Sequence, residues 1–483
     1  KHSVNETHPT KRNYQPLIFS LTMALYLVIF LWGFWTKGIN AIGINLTVFW
    51  TLAIIFYTTY TKKQLGISIL SKRNLFWTLP FIAMTLSFGI YENPWLKFIT
   101  MAIMPFYFAF FVNYSLLEER ASHVWNSVLI SNIIERWVEI LNNIGKATQE
   151  FGTIFFLKSG PSRKIFVKVL LGLGIFAVAS ILLFIPLLST ADPAFAALVR
   201  DAHFWFANLF RADLFGKFIF WFVSSILFIA TFFSWIKKFN FAKETKESSM
   251  DSIISGVVLG GILMLYILFI GTQLRYLWVD TLPTDFKSTE SLVKNGFWQL
   301  FFLSAINVFL YFLYYRRTHK HVQKILVAFT FASFLLLISA AQRMLLYVTL
   351  YGFSYEKFFA AYTVVYAIIL FIALFAFLYK KKKQDIFKFM VITFMWMFSL
   401  ATILPVEQII FRSNLALLEM PGSRIRMYEL RMLSADVYDL AIDEIEKNPS
   451  RWAMWKEDKA IKLNEKSWYE MTLSGSIARN SNR

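Results

Sequence analysis

Runs of about 20 consecutive apolar residues recur along the whole chain, and no other feature restricts its fold as strongly. A helix needs roughly that length to cross the ~30 Å hydrocarbon of a bilayer, where no water satisfies backbone N–H and C=O groups. Eleven such runs stand near 17–35, 41–59, 74–90, 95–112, 165–187, 215–236, 253–274, 297–314, 325–349, 358–379 and 386–404. The third is short and leads through YENPW into the fourth, so this pair reads as two full spans or as a re-entrant hairpin. Composition agrees: 57% of the 483 residues are hydrophobic, against about 45–50% in soluble domains. The expected fold class is an all-α integral membrane protein of about eleven transmembrane helices, within a range of 10–12, plus a small extramembrane C-terminal helical tail. No cleavable signal with a small-residue exit site is seen, so the first run is expected to serve as an uncleaved anchor.

The net charge of +19 is not spread like a nucleic-acid surface. It sits in short clusters between apolar runs, where topology explains it and nucleic acid is not expected as a partner. Alternate loops carry Lys11 and Arg12, then Lys62, Lys63, Lys72 and Arg73, then Lys237, Lys238, Lys243 and Lys246, then Arg316, Arg317, Lys320 and Lys324, then Lys380 to Lys383. By the positive-inside rule those loops face the cytoplasm. The other loops are poor in positive charge, with Lys37 alone in the first and Lys357 alone near 350–357. A cytoplasmic N-terminus and an odd number of spans put the C-terminus outside. The expected organisation is membrane helices 1–4 over 1–113, a cytoplasmic amphipathic segment over 114–164, membrane helices 5–11 over 165–404, and an extracytoplasmic tail over 405–483.

Three segments are amphipathic rather than spanning. In the first, Trp125, Leu129, Ile133, Trp137, Leu141 and Ile144 recur at spacings of three and four, the stripe of a helix packed on the bundle or lying in the headgroups. In the second, near 191–213, Asp192 followed by Pro193 is a helix start. Phe195, Leu198, Trp205, Phe206 and Leu209 then suit an outer interfacial helix. In the third, Ser434 caps one tail helix, and Asn448 with Pro449 ends it and starts the next. The stretches 115–160 and 423–464 are therefore candidate surfaces for a protein partner, beside membrane lipids. The final SGSIARNSNR reads as frayed.

With no cysteine, disulfides and thiolate chemistry are excluded. The six histidines form no metal constellation, and no phosphate-loop, zinc-protease or serine-hydrolase motif is present. Neither a metal nor a cofactor is expected. Gly256 and Gly260 form a GxxxG pair that permits close helix contact within the bundle. Polar residues inside apolar runs are the more informative signal. Gln342 and Arg343 interrupt the ninth run, and Arg343 lies roughly 28 Å along its helix, at the outer edge of the hydrocarbon. Gln273 and Arg275 reach nearly the same depth in the seventh, while Asp192 and Glu407 end outward-running helices at that level. An arginine near the bilayer core costs about 2.5–3.5 kcal/mol and is usually paired or solvated. The expectation is a polar layer that locks helix ends, binds an anionic group or relays charge for ion coupling.

The stretches LSTADPAF, AQRMLLYVTLYGFSYEKFFAAYTVVY and LPVEQIIFRSNLALLEMPGSRIRMYELRMLSADVYD resemble an uncharacterised bacterial family of polytopic membrane proteins. It is domain of unknown function 4173, with its relative 4153. The resemblance covers most of residues 165–440 and includes a V-x-x-x-I-x-R-x-N pattern filled by Val406, Ile410, Arg412 and Asn414. It implies a location in the bacterial cytoplasmic (inner) membrane and the cell envelope, and no established activity. Candidate ligand-binding residues are Arg343, Arg275, Gln342, Gln273, Asp192, Glu407 and Arg412; no catalytic residue is assigned. The leading expectation is a non-enzymatic, transport-like or accessory component recognising an anionic lipid or small solute at its outer face. Alternatives are a membrane enzyme acting on a lipid-linked phosphate, and a scaffold or sensor subunit. A filled, dry bundle favours the scaffold.

Overall fold

The computed structural model describes residues 14–66, 72–115, 127–155, 213–236, 251–277, 318–380, 386–447 and 449–481, with shorter stretches within 188–201 and 298–314. Regular structure among these residues is entirely helical. The N-terminal group contains α1 (Gln15–Phe30), the short α2 (Phe34–Lys37), α3 (Ile44–Leu65), α4 (Lys72–Ile90) and α5 (Pro94–Ser115). Next come α6 (Ser127–Phe155), α7 (Asp213–Ile236), α8 (Ser252–Leu277), α9 (Lys320–Tyr351), α10 (Tyr355–Lys380) and α11 (Ile386–Ile403). The tail is α12 (Val406–Leu418), α13 (Met427–Arg431), α14 (Tyr438–Lys447), α15 (Pro449–Asn464) and α16 (Leu473–Ser481).

Among the described residues, six helices are long and apolar enough to cross a membrane. The number rises to eight if each of two bent pairs is one span: α1 with the Phe34–Ala41 segment, bent by 44°, and α11 with α12, bent by 71°. The chain is therefore a multi-pass membrane protein; the described residues supply six to eight spans, and the eleven expected are not confirmed. The run 165–187 lies outside the described residues. The run 297–314 is described in pieces around a shorter apolar helix, Phe301–Tyr311, and the apolar part of α4, Phe76–Ile90, falls short of a full crossing. At 1.5 Å per residue, α9 is roughly 48 Å long and outreaches the hydrocarbon. Its last turns are covered by the chain that follows α12, where Arg424 N donates to the Leu350 carbonyl at 2.8 Å.

Four apolar cores form among the described residues. In the first, Trp50, Phe81, Phe88, Phe108 and Phe111 from α3, α4 and α5 are buried together, and Trp50 meets Phe81 edge to face at 5.7 Å. In the second, Leu326, Phe329, Leu336 and Tyr347 of α9 pack against Leu259 of α8 and Phe371 of α10. Helix α11 bridges them: Ser399 Oγ donates to the Pro80 carbonyl of α4 at 3.2 Å, and Tyr366 of α10 donates to the Met390 carbonyl of α11 at 3.0 Å. Helix α6 runs antiparallel beside α7 and so packs on the bundle. Arg136 donates to the Ser234 and Trp235 carbonyls at 2.7 and 3.0 Å, and Phe151 meets Trp221 and Phe222 at 5.8 and 5.0 Å. Trp125 of its expected stripe lies outside the described residues, as does most of the expected interfacial helix near 191–213.

The tail folds back as a cap with its own core of Phe411, Leu430, Tyr438, Trp452 and Trp455. Ser434 accepts from Asp436 N at 3.2 Å, as expected of a helix start. Within the terminal segment expected to fray, the described residues up to Ser481 are helical in α16, with Gly475 and Ala478 buried. Thr472 and Ser474 at its start donate to Glu92, just after α4, and to Asp436 at 2.7 and 2.5 Å, contacts that its own composition could not indicate.

Candidate functional site

The site is built on the turn Tyr91–Asn93 between α4 and α5. Asn93 Oδ1 accepts from Leu96 N at 3.0 Å, capping α5, and Pro94 fits the first helical position. The preceding Glu92 meets the tail: Oε1 accepts from Thr472 Oγ1 at 2.7 Å, and Oε2 from Lys466 Nζ at 2.5 Å. Lys97 Nζ lies 3.4 Å from the same Oε2 and donates to the Ile42 carbonyl at 2.5 Å. Glu92, Lys97 and Lys466 are 8, 3 and 7% exposed, so water screens none of these charges. Burial alone pushes the Glu92 carboxyl up, but the two ammonium groups outweigh it and hold it below the ordinary carboxylate range. Gly475 permits the approach, since a Cβ there would lie 2.5 Å from Glu92 Oε1.

Asp436 stands beside this triad. Oδ1 accepts from Glu92 N at 2.6 Å and Ser474 Oγ at 2.5 Å, and Oδ2 from Asn93 N at 3.1 Å. A tail carboxylate thus satisfies the backbone N–H groups of the α4–α5 turn. Burial pushes its carboxyl up to about 6, against the hydrogen bonds from Ser474 and Glu92 N. Glu407, at the start of α12 and 1% exposed, accepts from Ser434 N at 2.6 Å, from Ser434 Oγ at 2.7 Å and from the Tyr355 hydroxyl. Two further contacts complete the layer. Lys37 Nζ donates to Glu470 Oε2 at 2.7 Å, and Asn414 accepts from Phe353 N at 2.6 Å while donating to Phe353 O at 2.9 Å. The cap therefore grips the α1–α3, α4–α5 and α9–α10 junctions at once.

Of the residues singled out by the sequence, Glu407 belongs to this layer, although its partners are Tyr355 and Ser434 rather than an arginine. Arg343 is 8% exposed on α9, beside Gln342. Arg412 is exposed; at 100° per residue it points about 140° around α12 from Glu407, so it does not share one site with that carboxylate. Gln273 and Arg275 lie in the last turns of α8, with side chains outside the described residues, and Asp192 is outside them too. In the V-x-x-x-I-x-R-x-N pattern, Val406, Ile410 and Asn414 share the buried face of α12. Asn414 sits against Gly352, whose φ of +71° suits glycine.

Glu92, Lys97, Asp436, Lys466 and Glu470 were not legible as a group. One signal was present: Lys37 and Lys357 are lone positive charges in their loops, and Lys37 reaches the tail at Glu470 while Lys357 turns to the α9–α10 junction. Lys357 Nζ donates to the Gly352 carbonyl at 3.1 Å.

A family model described as a domain of unknown function matches residues 78–444. The chain belongs to the DUF4153 family. The match starts nearer the N-terminus than the resemblance drawn from the sequence, and it is to 4153 rather than to 4173. The DUF4153 stretch contains Glu92, Lys97, Tyr355, Glu407, Asn414 and Asp436, whereas Lys466, Glu470, Thr472 and Ser474 lie beyond it. The layer thus joins DUF4153 residues to a C-terminal extension. No curated protein and no solved structure matches the chain.

Proposed function

We propose that this DUF4153 chain is a non-enzymatic scaffold or sensor of the bacterial cytoplasmic membrane, whose C-terminal cap faces outward and presents a surface to a protein partner. The observation that supports this is the saturation of the buried carboxylates. Glu92, Asp436 and Glu407 each accept three hydrogen bonds from this same chain. A general acid or base must instead be within reach of a substrate proton. The exposed face of α15 carries Met454 and Ile461, 80 and 52% exposed. They are seven residues apart and so share one side of the helix, and methionine adapts readily to a partner.

The test is a photo-crosslinking amino acid at Met454 and at Ile461 in intact cells. Protein adducts of defined mass from both positions, lost when Glu92→Gln loosens the cap, are the expected result. Adducts to lipid alone would overturn the reading. A second reading, recognition of an anionic headgroup or solute, is favoured by one observation. Arg343 and Lys357 are each 8% exposed near the α9–α10 junction, with Lys357 Nζ 4.7 Å from the Tyr347 ring. It requires phosphate or a phosphatidylglycerol headgroup to stabilise the wild type and not Arg343→Gln.

A further inference from the structure

Helices α1 and α3 are tied together at the cap end. Asn45 Nδ2 donates to the Phe30 carbonyl at 2.8 Å, and the Tyr26 hydroxyl to the Asn45 carbonyl at 2.7 Å. At the opposite end, between the start of α1 and the end of α3, lies a groove of about 430 Å³. That is within the roughly 300–1,000 Å³ of small-molecule sites.

Its floor is the stacked pair Phe19 and Phe56, whose ring centroids are 3.7 Å apart. Ile18, 61% exposed, forms one wall. Thr59 forms the other, its hydroxyl turned back to the Ile55 carbonyl at 2.8 Å. Gln15 and Thr22 of α1 also line it, and Tyr60 and Lys63 close it where α3 finishes.

The groove's depth in the bilayer follows from helix length. Helix α3 has 22 residues, roughly 33 Å at 1.5 Å each, so its two ends sit at opposite faces of a ~30 Å hydrocarbon layer. Trp35, Trp95 and Trp468, 66, 53 and 72% exposed, mark the headgroup level at the cap end. Lys62 and Lys63, both exposed in the last turn of α3, mark the other. An apolar slot that opens sideways to the bilayer and carries an ammonium group at headgroup depth matches one class of ligand.

We propose that the groove between α1 and α3 is a binding site for a phospholipid with an anionic headgroup, one acyl chain lying along Phe19 and Phe56 and the phosphate pairing with Lys63. This site lies at the far end of the bundle from the buried carboxylate layer and does not depend on the reading of the cap. Lys62 provides the internal control, since it is at the same level and does not line the groove.

The test is native mass spectrometry of the full chain, delipidated and then offered equal amounts of phosphatidylglycerol and phosphatidylcholine with identical acyl chains. The wild type is expected to retain phosphatidylglycerol preferentially. Lys63→Gln lowers that preference about fivefold, the contribution of one lysine near an anionic surface. Lys62→Gln leaves the preference unchanged, and Thr59→Phe, which fills the slot, reduces retention of both lipids. Equal retention of the two lipids by the wild type would overturn the proposal, as would equal losses from the two lysine variants. Displacement of the lipid by inorganic phosphate would overturn it as well, because the site would then recognise the anion and not the chain.

Discussion

Replacing Glu92 by glutamine probes the cap most directly, because it removes one charge from a buried triad and leaves two ammonium groups facing each other. Lys97 and Lys466 lie 3.4 and 2.5 Å from Glu92 Oε2, with side chains 3 and 5% exposed. Breaking a buried pair by removing one partner costs about 3–5 kcal/mol. Glutamine still accepts from Thr472, which puts the expected cost near the lower limit, about 3 kcal/mol or roughly 150-fold in the cap-opening equilibrium. Lys466→Met leaves the Lys97 contact intact and is expected to cost less, about 1–2 kcal/mol. The cysteine-free sequence supplies a clean assay. Ala478 is 1% exposed in the cap, so a thiol introduced there reacts with a maleimide when the cap opens. The double variant should open less readily than the two single effects added together, by about 1 kcal/mol or more, because Glu92 and Lys466 interact directly. Strict additivity, or an unchanged labelling rate in Glu92→Gln, would refute the claim that this triad holds the cap.

Cap docking should also depend on pH. Asp436 is raised from 3.8 to about 6, so its contribution is present below 3.8 and is lost as pH rises through 6. Glu92, held below 4.5, acts in the opposite sense and contributes above that value. Glu407, pushed up to about 8 by burial and by Asp436, acts in the same sense as Asp436, so labelling at Ala478→Cys, corrected against an exposed cysteine, should speed up between about pH 5 and 8, and Asp436→Asn should reduce that rise without abolishing it. Gly352→Ala should lower the melting temperature in detergent, because φ is +71° and the new Cβ would lie 2.7 Å from Asn414 Oδ1. The backbone term alone is about 1–2 kcal/mol. Arg136→Met should destabilise by about 1.5–3 kcal/mol through the two α7 carbonyls it leaves bare, with Arg136→Lys recovering part of the loss. No change in melting temperature for the methionine variant would show that the Arg136 side chain does not help to hold α6 on α7.

Much of the architecture was legible because it follows from local pattern. Apolar runs of spanning length announced the helices around Phe81, Phe108 and Phe329, since a bilayer leaves the backbone no alternative. Ser434 and Pro449 marked helix starts in the tail because capping is settled within one turn. Val406, Ile410 and Asn414 fell on one face of a helix because their spacing is that of two turns. The amphipathic stripe of α6 announced that it would pack, and its antiparallel partner α7 emerged only from the fold. Of the polar layer expected from the sequence, Asp192 and the side chains of Gln273 and Arg275 lie outside the described residues, and the layer the structure describes is built around Glu92, Asp436 and Glu407. Arg343 and Glu407 drew attention because each interrupts an apolar stretch, yet Glu407 turned to Tyr355 and Ser434.

By itself, the sequence determined that this chain is helical, is membrane-embedded and ends in a helical tail, since length, hydropathy and capping act over a few turns. The tertiary structure decided which charges share a cavity. Glu92 and Lys466 are 374 residues apart in sequence and 2.5 Å apart in space. Nothing local distinguishes Lys466 from the exposed lysines around it until the tail folds back over the α4–α5 turn. A buried ion pair acquires its partner, and its energetic weight, only from chain topology that brings distant segments together and removes water from between them.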